Sequence, residues 1–430
     1  MNKLFEDRIN LYFKDQTQKY IEELIKPCTQ GFFLNTKKAS KKDILDVIDF
    51  EYEKSILTDS SYYHNHDGIG KTKAYELGLI YPQEIAASIS SKYINANNIK
   101  TVVDLCAAPG GKTINALNRL NDDVLMVSND YNHQRCMILS SNLERLGLDN
   151  IIVTNKETRI LADELENYAD LVILDAPCSG EGMIRKYPEI LDTYSIENIN
   201  ELSKLQESIL EDAYRILKGN GQLLYSTCTY AFEEDENQIK NFLNKHKDMH
   251  LVEIGEKHSS TLDGTIKLSP IDNTEGQFIC LMRKDSNDYA RKNKFLKNVN
   301  EKLIDDFINQ NINIENYYLY KHNEHYYMSL IPLIDLGNNV MRYGIYVGDI
   351  VNKRFEPSHS LFRSNTLKDK FKYRYDLNES EYDKFVEGYE LNINKDNGYY
   401  LVTYKNHSLG YGKCSNGQLK NKYPKGLRRK

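Results

Sequence analysis

The chain has 430 residues, of which 40% are hydrophobic and 27% are charged. This composition is typical of a globular protein, and the length allows two to four domains with a sizeable core. The formal net charge is −6, which is not the charge of a generally basic nucleic-acid binder. Any contact with nucleic acid must therefore use local basic patches.

Cysteine usage and hydropathy indicate the compartment. The seven cysteines form no CxxC pair and no cluster with histidine, so we expect reduced thiols, no disulfide framework and no metal site. We find no apolar run long enough to span a bilayer and no signal-peptide pattern at the N-terminus. We therefore expect a cytoplasmic protein that contacts no membrane.

Residues 1–75 predict a small leading domain. Apolar residues recur at helical spacing between Leu4 and Ile25 and again in Asp43–Phe50, which predicts short amphipathic helices. The stretch Tyr81-Pro82-Gln83-Glu84 predicts the start of a further helix, because proline is tolerated in the first turn.

The next segment predicts a strand, a turn of small residues and a helix. The β-branched run Val102–Val103 ends at Asp104, and apolar residues at helical spacing follow from Thr113 to Leu120. The turn is neither GxGxxG nor GxxxxGK[ST]. At the carboxyl end of a strand, small residues and free N–H groups favour a nucleotide-like ligand, the alternative being a purely structural turn. The turn residues are Cys106, Ala107, Ala108, Pro109, Gly110, Gly111 and Lys112.

An acidic residue follows the second predicted strand, Val124–Asn129. Asp130 is in position to accept hydrogen bonds from two ribose hydroxyls, although it could instead cap the next helix. That helix is predicted over His133–Leu146 and ends at Gly147. Arg135 lies one turn into it and contacts either the same ligand or solvent.

Two cysteines follow the fourth and fifth predicted strands, one after each strand. Cys178 and Asp175 come at the end of the fourth strand, and Cys228 lies in Ser226-Thr227-Cys228-Thr229. The long amphipathic helix predicted over Glu197–Leu217 can return the chain parallel to the fourth strand. Both thiols then reach one pocket at the carboxyl edge of the sheet. The acidic run Glu233–Asn237 is expected to favour the start of the following helix through its dipole.

The motifs DxCAAPGGKT, DAPCSGEGxxRK and STCT, in this order, closely resemble the Sun-type (NSUN-like) family of RNA cytosine-C5 methyltransferases, which includes RsmB and RsmF. The resemblance implies a Rossmann-like class I α/β domain that uses S-adenosylmethionine, bound by the Cys106–Lys112 turn, Asp130, Arg135 and Asp175. It also implies that Glu157 lies near the adenine, where relatives carry an acidic residue.

Cytosine C5 is a poor nucleophile, so its methylation needs a thiolate that adds to C6 and a carboxyl group that meets N3. DNA cytosine methyltransferases carry the nucleophile in Pro-Cys, which would select Cys178. The RNA family carries it in Thr-Cys-Thr, which selects Cys228. The resemblance therefore implies that Cys228 attacks C6, that Cys178 assists release of the adduct, and that Asp175 contacts N3.

Candidate RNA contacts lie in two places. Arg185 and Lys186 follow the fourth-strand motif and could contact phosphates beside the target base. The C-terminal sequence NGQLKNxYPKGLR resembles the PUA-like tail of RsmF-type members, with Tyr423 as a stacking residue, although a basic disordered tail is the alternative. Its candidate phosphate contacts are Lys420, Lys422, Lys425, Arg428, Arg429 and Lys430.

We predict four units: an N-terminal RNA-binding, ferredoxin-like α+β domain (1–75), the methyltransferase domain (76–284), a connecting module (285–340) and a PUA-like RNA-binding domain (341–430). Short strands are predicted at Arg342–Val347 and Tyr399–Tyr404. The PUA-like tail favours the RsmF-type members of the family, and this resemblance implies 16S ribosomal RNA of the small subunit, near the decoding site, as the substrate. We expect a monomeric enzyme. A tRNA methyltransferase and a non-catalytic ribosome assembly factor are the alternatives.

Overall fold

The computed structural model describes residues 3–255, 258–286 and 293–429. The strands are β1 (Gly31–Leu34), β2 (Tyr52–Lys54), β3 (Ser61–His64), β4 (Ile80–Pro82), β5 (Thr101–Asp104), β6 (Leu125–Asn129), β7 (Ile151–Thr154), β8 (Ala169–Asp175), β9 (Leu217–Thr227), β10 (Met249–Val252), β11 (Thr265–Leu268), β12 (Gln277–Lys284), β13 (Tyr318–His322), β14 (His325–Ser329), β15 (Val340–Tyr343), β16 (Ile345–Val351), β17 (Arg354–Pro357), β18 (Arg374–Leu377), β19 (Leu391–Asn392), β20 (Gly398–Tyr404), β21 (His407–Ser415) and β22 (Gln418–Asn421). The α-helices are α1 (Lys3–Phe13), α2 (Thr17–Leu24), α3 (Lys41–Leu45), α4 (Lys73–Glu76), α5 (Ile85–Ile89), α6 (Gly111–Arg119), α7 (His133–Leu146), α8 (Thr158–Glu164), α9 (Ile196–Ile216), α10 (Glu236–Lys245), α11 (Lys302–Asn311), α12 (His359–Arg363) and α13 (Glu379–Glu387).

A nine-stranded sheet forms the centre of the molecule. Its order is β10-β12-β9-β8-β5-β6-β7-β15, with β11 paired to β12, and β5 to β9 are parallel. Alternate residues face opposite sides: Val103 and Val172 pack in one buried cluster, whereas Val102 and Leu171 pack in the other. The predicted Rossmann-like α/β fold is confirmed, and helix α7 has the predicted bounds and ends at Gly147, which has φ +71°.

The N-terminal segment forms two separate layers. Helices α1 and α2 pack against Ile184, Tyr194 and Tyr230, which lie in the segments that follow β8 and β9. The chain then forms an antiparallel sheet of order β2-β3-β1-β4, with α3 and α4 as its connecting helices. This order is that of the split β-α-β arrangement.

The helix predicted to start at Tyr81-Pro82 begins later. Pro82 is the last residue of β4, where it pairs with Phe32 at the sheet edge. Helix α5 starts at Ile85, after Glu84, whose side chain accepts a hydrogen bond from the Ala87 N–H (3.2 Å). Proline is tolerated in an edge strand as well as in the first turn of a helix. The local sequence around Pro82 therefore did not show whether a strand ends or a helix begins there.

The chain after the central sheet adds two smaller sheets. One has the order β13-β14-β16-β17, and the other has the order β18-β20-β21-β22-β19. The strand predicted over Arg342–Val347 is divided at Gly344, which has φ +66°. Strand β15 pairs antiparallel with β7 in the central sheet, whereas β16 pairs with β14 and β17. The predicted boundary near residue 340 therefore falls at a strand of the central sheet.

The two ends of the chain share a core. Phe32 and Leu34 of the N-terminal sheet lie in one buried cluster with Tyr382, Phe385 and Val402 of the C-terminal module. The C-terminal sheet is consequently attached to the N-terminal sheet.

Candidate active site

The turn between β5 and α6 is held to its neighbours by short hydrogen bonds. The Ala107 N–H donates to the Asn129 carbonyl (2.7 Å), and the Thr113 hydroxyl donates to Asp104 Oδ2 (2.6 Å). Burial raises the pKa of Asp104 to about 7. Gly110 has φ +118°, and a Cβ at Gly111 would lie 2.6 Å from the Gln83 side chain. The small residues at these two positions are therefore required by the backbone and by close packing.

Asp130 presents a free acceptor beside this turn. Its side chain is 3% exposed, and Oδ1 accepts a hydrogen bond from the Asn132 N–H (2.9 Å). Oδ2 has no hydrogen-bond partner in the part of the chain that the structure describes. The Arg135 guanidinium lies 3.4 Å from Oδ2 as an ion pair, and it also donates to the Ala108 carbonyl. A buried carboxylate oxygen without a donor suits a ligand that carries hydroxyl groups.

The other predicted cofactor residues occupy different environments. Burial raises the pKa of the Cys106 thiol, so this cysteine is a poor nucleophile. Glu157 is exposed at the start of α8, where its side chain forms no capping hydrogen bond. Its contact with an adenine stays a prediction.

Cys178 and Cys228 meet at the carboxyl edge of the sheet. Their Sγ atoms lie 3.2 Å apart, and the Cys228 N–H donates to Cys178 Sγ (3.3 Å). They are 50 residues apart in sequence and are brought together because β8 and β9 are parallel, with Asp175 opposite Ser226. The hydrogen bond with Cys228 and burial raise the pKa of Cys178 well above its usual value.

Asp175 joins the turn to the cysteine strands. Its Oδ1 accepts a hydrogen bond from the Ser226 hydroxyl (2.6 Å), and Oδ2 lies 3.2 Å from Lys112 Nζ. The Lys112 side chain is 7% exposed, whereas that of Asp175 is 37% exposed. Asp175 can therefore reach a ligand while its position is fixed from two sides.

Glu234 supports the loop that carries Cys178, and the sequence did not indicate this role. Its Oε2 accepts hydrogen bonds from the Ser179 N–H (3.0 Å) and from Gln206 Nε2 (2.7 Å). Gln206 also donates to the Pro177 carbonyl (2.9 Å). Burial raises the pKa of Glu234 to about 7. Its nearness to Cys228 in sequence was the available signal, but an acidic run is equally typical of an exposed helix start.

A layer of buried acids, which we call the acidic floor, lies beneath the cysteine loops. Each member is buried, and the acids are Glu181, Glu234, Asp235, Glu236 and Glu275. Lys267 Nζ lies 3.1 Å from Asp235 and 2.7 Å from Glu236. The run Glu233–Asn237 lies at the start of α10, where the sequence analysis places it. Residues 234–236 are also buried, because Lys267 and polar groups of neighbouring loops enclose them.

The predicted phosphate contact of Arg185 is also wrong for this structure. Its side chain is 5% exposed, and its guanidinium forms an ion pair with Glu275 (2.6 Å) and donates to the Thr274 carbonyl (2.8 Å). Lys186 is exposed, with Nζ 5.3 Å from the centre of the Tyr187 ring. Of the two adjacent cations, only Lys186 remains accessible to RNA.

In the C-terminal segment, Lys420, Lys422 and Lys425 are exposed, and Arg428 donates to the Tyr423 carbonyl (3.3 Å). Tyr423 is 4% exposed and packs beside His359 and Phe385, so the stacking predicted for it is wrong. Arg429 pairs with Glu76 (2.7 Å). Lys430 lies outside the described residues.

The described residues were also searched for groups of metal ligands and for membrane-spanning helices. Within residues 3–255, 258–286 and 293–429, no three His, Cys, Asp or Glu side chains are grouped as metal ligands. In the same ranges, no helix combines the length and apolar character that crossing a bilayer requires.

Comparison with known proteins identifies the family. The family model described as 16S rRNA methyltransferase RsmB/F matches residues 92–283, and that of the methyltransferase RsmF PUA domain matches residues 372–429. A tRNA (cytosine(49)-C(5))-methyltransferase of Pyrococcus abyssi is 32% identical over 66% of this chain and 97% of its own length. The chain belongs to the RsmB/RsmF family of RNA cytosine-C5 methyltransferases.

Two further relatives extend this result. A ribosomal RNA small subunit methyltransferase F of Shewanella loihica is 25% identical over 99% of this chain and 96% of its own length. The crystal structure of NSun6 from Pyrococcus horikoshii with SFG has a TM-score of 0.59 at 20% identity, and covers 66% of this chain and 98% of the other. The chain is thus an RNA methyltransferase of this family with a C-terminal PUA domain.

Proposed function

We propose that this RsmB/RsmF family member methylates C5 of cytosine in 16S ribosomal RNA near the decoding site, through a covalent bond between Cys228 and C6. The observation that carries the chemistry is the pair of thiols, 3.2 Å apart, beside the Asp104–Lys112 turn. The likeness to a small subunit methyltransferase F along 99% of the chain supports ribosomal RNA as the substrate.

The cofactor fits the free groups of the site. Asp130 Oδ2, buried and without a donor among the described residues, is proposed to accept hydrogen bonds from the ribose hydroxyls. The backbone of the Cys106–Lys112 turn is proposed to contact the rest of the molecule, with Arg135 and Glu157 at its nucleoside end. When bound, S-adenosylmethionine supplies an electrophilic methyl group.

The two cysteines are proposed to have different roles. The raised pKa of Cys178 keeps a proton on its thiol, so Cys178 can donate a hydrogen bond to a Cys228 thiolate. A stabilised thiolate at Cys228 attacks C6, forming the S–C6 bond and shifting the C5–C6 electron pair toward C5 and N3. Asp175, fixed by Ser226 and Lys112, meets the pyrimidine at N3. After methyl transfer, water takes the C5 proton, the C5–H electron pair forms the C5=C6 bond again, and the S–C6 bond breaks so that Cys228 leaves as a thiolate. Cys178 assists this release by donating a hydrogen bond to that thiolate.

RNA is proposed to contact Lys186 beside the site and Lys420, Lys422, Lys425 and Arg428 on the PUA domain. We propose that the four sequence-derived units, 1–75, 76–284, 285–340 and 341–430, act as RNA-binding, catalytic, connecting and RNA-binding parts, in a monomer. Transfer RNA is the second candidate substrate, because the Pyrococcus abyssi tRNA enzyme is 32% identical over 66% of the chain.

The test uses Cys228→Ala, Cys178→Ala and the control Cys28→Ala with labelled S-adenosylmethionine. Each is given naked 16S RNA, assembled small subunits or total tRNA. We expect turnover with Cys28→Ala, a denaturation-resistant RNA adduct with Cys178→Ala, and neither with Cys228→Ala. Turnover by Cys228→Ala would contradict the nucleophile assignment. Label in tRNA alone would retain the chemistry and contradict the ribosomal substrate.

A further inference from the structure

A second cavity lies away from the cysteines, where α4, α7, α12, β14–β16 and the C-terminal segment meet. We call it the junction cavity. Its volume is about 680 Å³, within the range of sites that hold a nucleotide-sized ligand. Helix α7 forms one wall, from Met137 to Arg145, and residues 423–427 form another.

Three arginines line the junction cavity, and within the described residues they donate hydrogen bonds to neutral backbone carbonyls. Arg363, 1% exposed, donates to the carbonyls of Glu76, Arg145, Ser408 and Leu409. Arg342 donates to those of Ser140, Leu148 and Gly344. Arg145 Nη1 donates to those of Tyr75 (2.9 Å) and Ile80 (3.0 Å).

Part of this donor capacity is unused. Arg145 Nε and Nη2 and Arg363 Nε are buried and have no hydrogen-bond partner in the described ranges. The guanidinium carbon of Arg145 lies 3.7 Å from the centre of the Tyr75 ring. Buried donors normally find an acceptor, so Arg145 and Arg363 keep unused donor capacity beside the cavity that they line.

The charges around the cavity do not balance. Of its two lining acids, Glu76 is already paired with Arg429 through both oxygens (2.7 Å each). Glu144 is the other, and it interacts electrostatically with Arg342 and Arg363. The three guanidinium groups are thus matched by Glu144 in the lining and by Asp149, which interacts electrostatically with Arg342 from outside the lining, so positive charge is still in excess. Burial and the charge of Arg363 lower the pKa of the nearby Lys38 and His359, as expected where positive charge is in excess.

We propose that the junction cavity binds a phosphate group of the RNA substrate, outside the catalytic cleft. Guanidinium groups match phosphate oxygens in charge and geometry. Helix α7 begins next to Asp130, and its cavity-lining residues run from Met137 to Arg145, which lies about 18 Å along the helix from His133. The site therefore anchors a part of the RNA remote from the target cytosine. This inference deepens the proposed function and rests on its RNA substrate.

The test places a negative charge at the cavity rim. Ser141 is exposed on α7 and lines the cavity, whereas Ile138 is exposed on the same helix and is not part of the lining. Ser141→Glu and its matched control Ile138→Glu change the charge equally. The full chain, saturated with S-adenosylhomocysteine, is titrated with inorganic pyrophosphate while its melting temperature is followed. The dissociation constant for a labelled 16S RNA fragment is measured in parallel.

We expect pyrophosphate to raise the melting temperature of the wild type and of Ile138→Glu but not of Ser141→Glu. The dissociation constant for RNA should rise about tenfold in Ser141→Glu alone, the effect of about one charge-assisted contact. Loss of pyrophosphate stabilisation with unchanged RNA affinity would overturn the RNA proposal and indicate a small phosphorylated ligand. Absence of stabilisation in the wild type would overturn the anion site. A wild type that methylates no RNA would contradict the proposed function, while the pyrophosphate result still decides on the cavity.

Discussion

Two buried lysines, each 2% exposed, have opposite electrostatic surroundings: Lys267 lies in the acidic floor, and Lys38 lies near Arg363 of the junction cavity. Lys267 in the floor contacts Asp235 and Glu236, whereas Lys38 Nζ near the cavity has no hydrogen-bond partner in the part of the chain that the structure describes. Burial by itself favours a lower pKa for both lysines, and their neighbours decide the net direction. At Lys267 the two carboxylates outweigh burial and raise the pKa, while at Lys38 the charges of Arg363 and Lys368 lower it further.

The two regions differ in whether a buried cation has a carboxylate partner. A cation with such a partner stabilises the fold, and a cation without one is available to an anionic ligand. In the floor, Lys267 and Arg185 are paired with buried carboxylates, so their electrostatic energy contributes to the fold that holds the cysteine loops. Around the cavity, the arginines donate hydrogen bonds to backbone carbonyls, and positive charges outnumber negative ones. Buried cations that lack a carboxylate are the ones that an added anion would stabilise.

The largest expected effect is that of Lys267→Met. This change leaves Asp235 and Glu236 buried without a cation, so the free energy of unfolding at pH 7 should fall by about 3–5 kcal/mol. Urea unfolding measures it, with the exposed Lys186→Met as control. A loss below about 1 kcal/mol would mean that the floor does not depend on this pairing.

Glu234→Gln should change how stability depends on pH. Burial raises the pKa of Glu234 from 4.5 to about 7, so the folded protein holds this proton more tightly than the unfolded chain. The tighter binding of this proton stabilises the folded wild type at low pH, and that stabilisation is lost as the pH rises from about 5 to 8. Glutamine can keep the bonds to Ser179 and Gln206 without ionising. As the pH rises through this range, the free energy of unfolding of the variant should increase by up to about 3 kcal/mol relative to that of the wild type.

Unfolding curves at several pH values check this expectation. Glu201→Gln, at an exposed position on α9, serves as the control and should show a constant difference from the wild type. The same constant difference in Glu234→Gln would mean that Glu234 titrates equally in both states.

Arg185→Lys tests whether this cation is structural. Lysine keeps the charge but cannot form the forked contact with Glu275, so unfolding should cost about 2 kcal/mol less. The affinity for 16S RNA, measured alongside, should stay unchanged because the side chain is enclosed. A rise in the RNA dissociation constant without loss of stability would restore the phosphate contact predicted from the sequence.

The smallest expected effect is that of Lys38→Met, the counterpart of Lys267→Met. Removing a buried amine that has cations for neighbours should leave the free energy of unfolding unchanged or raise it by about 1 kcal/mol. The measurement uses phosphate-free buffer, so that no anion offsets the charge. A loss as large as that of Lys267→Met would show that the two regions treat their lysines alike.

Local patterns of the sequence already determined much of this protein. The strand, turn and helix around Asp104–Thr113 and the helix His133–Leu146 follow from side-chain periodicity and small turn residues, which depend only on near neighbours in the chain. The motifs around Cys106, Cys178 and Cys228 were sufficient to indicate the family. Parallel strands then predicted that the last two cysteines would meet.

Tertiary structure decided which charges are buried and with what partner. Glu275 pairs with Arg185 from 90 residues away, and Arg145 meets Ile80 from 65 residues away. Strand β15 completes the central sheet through pairing with β7, which no local pattern encodes. A run such as Glu233–Asn237 looks the same in the sequence whether water or a buried lysine faces it. Only long-range packing sets the dielectric surroundings that distinguish the acidic floor from the junction cavity.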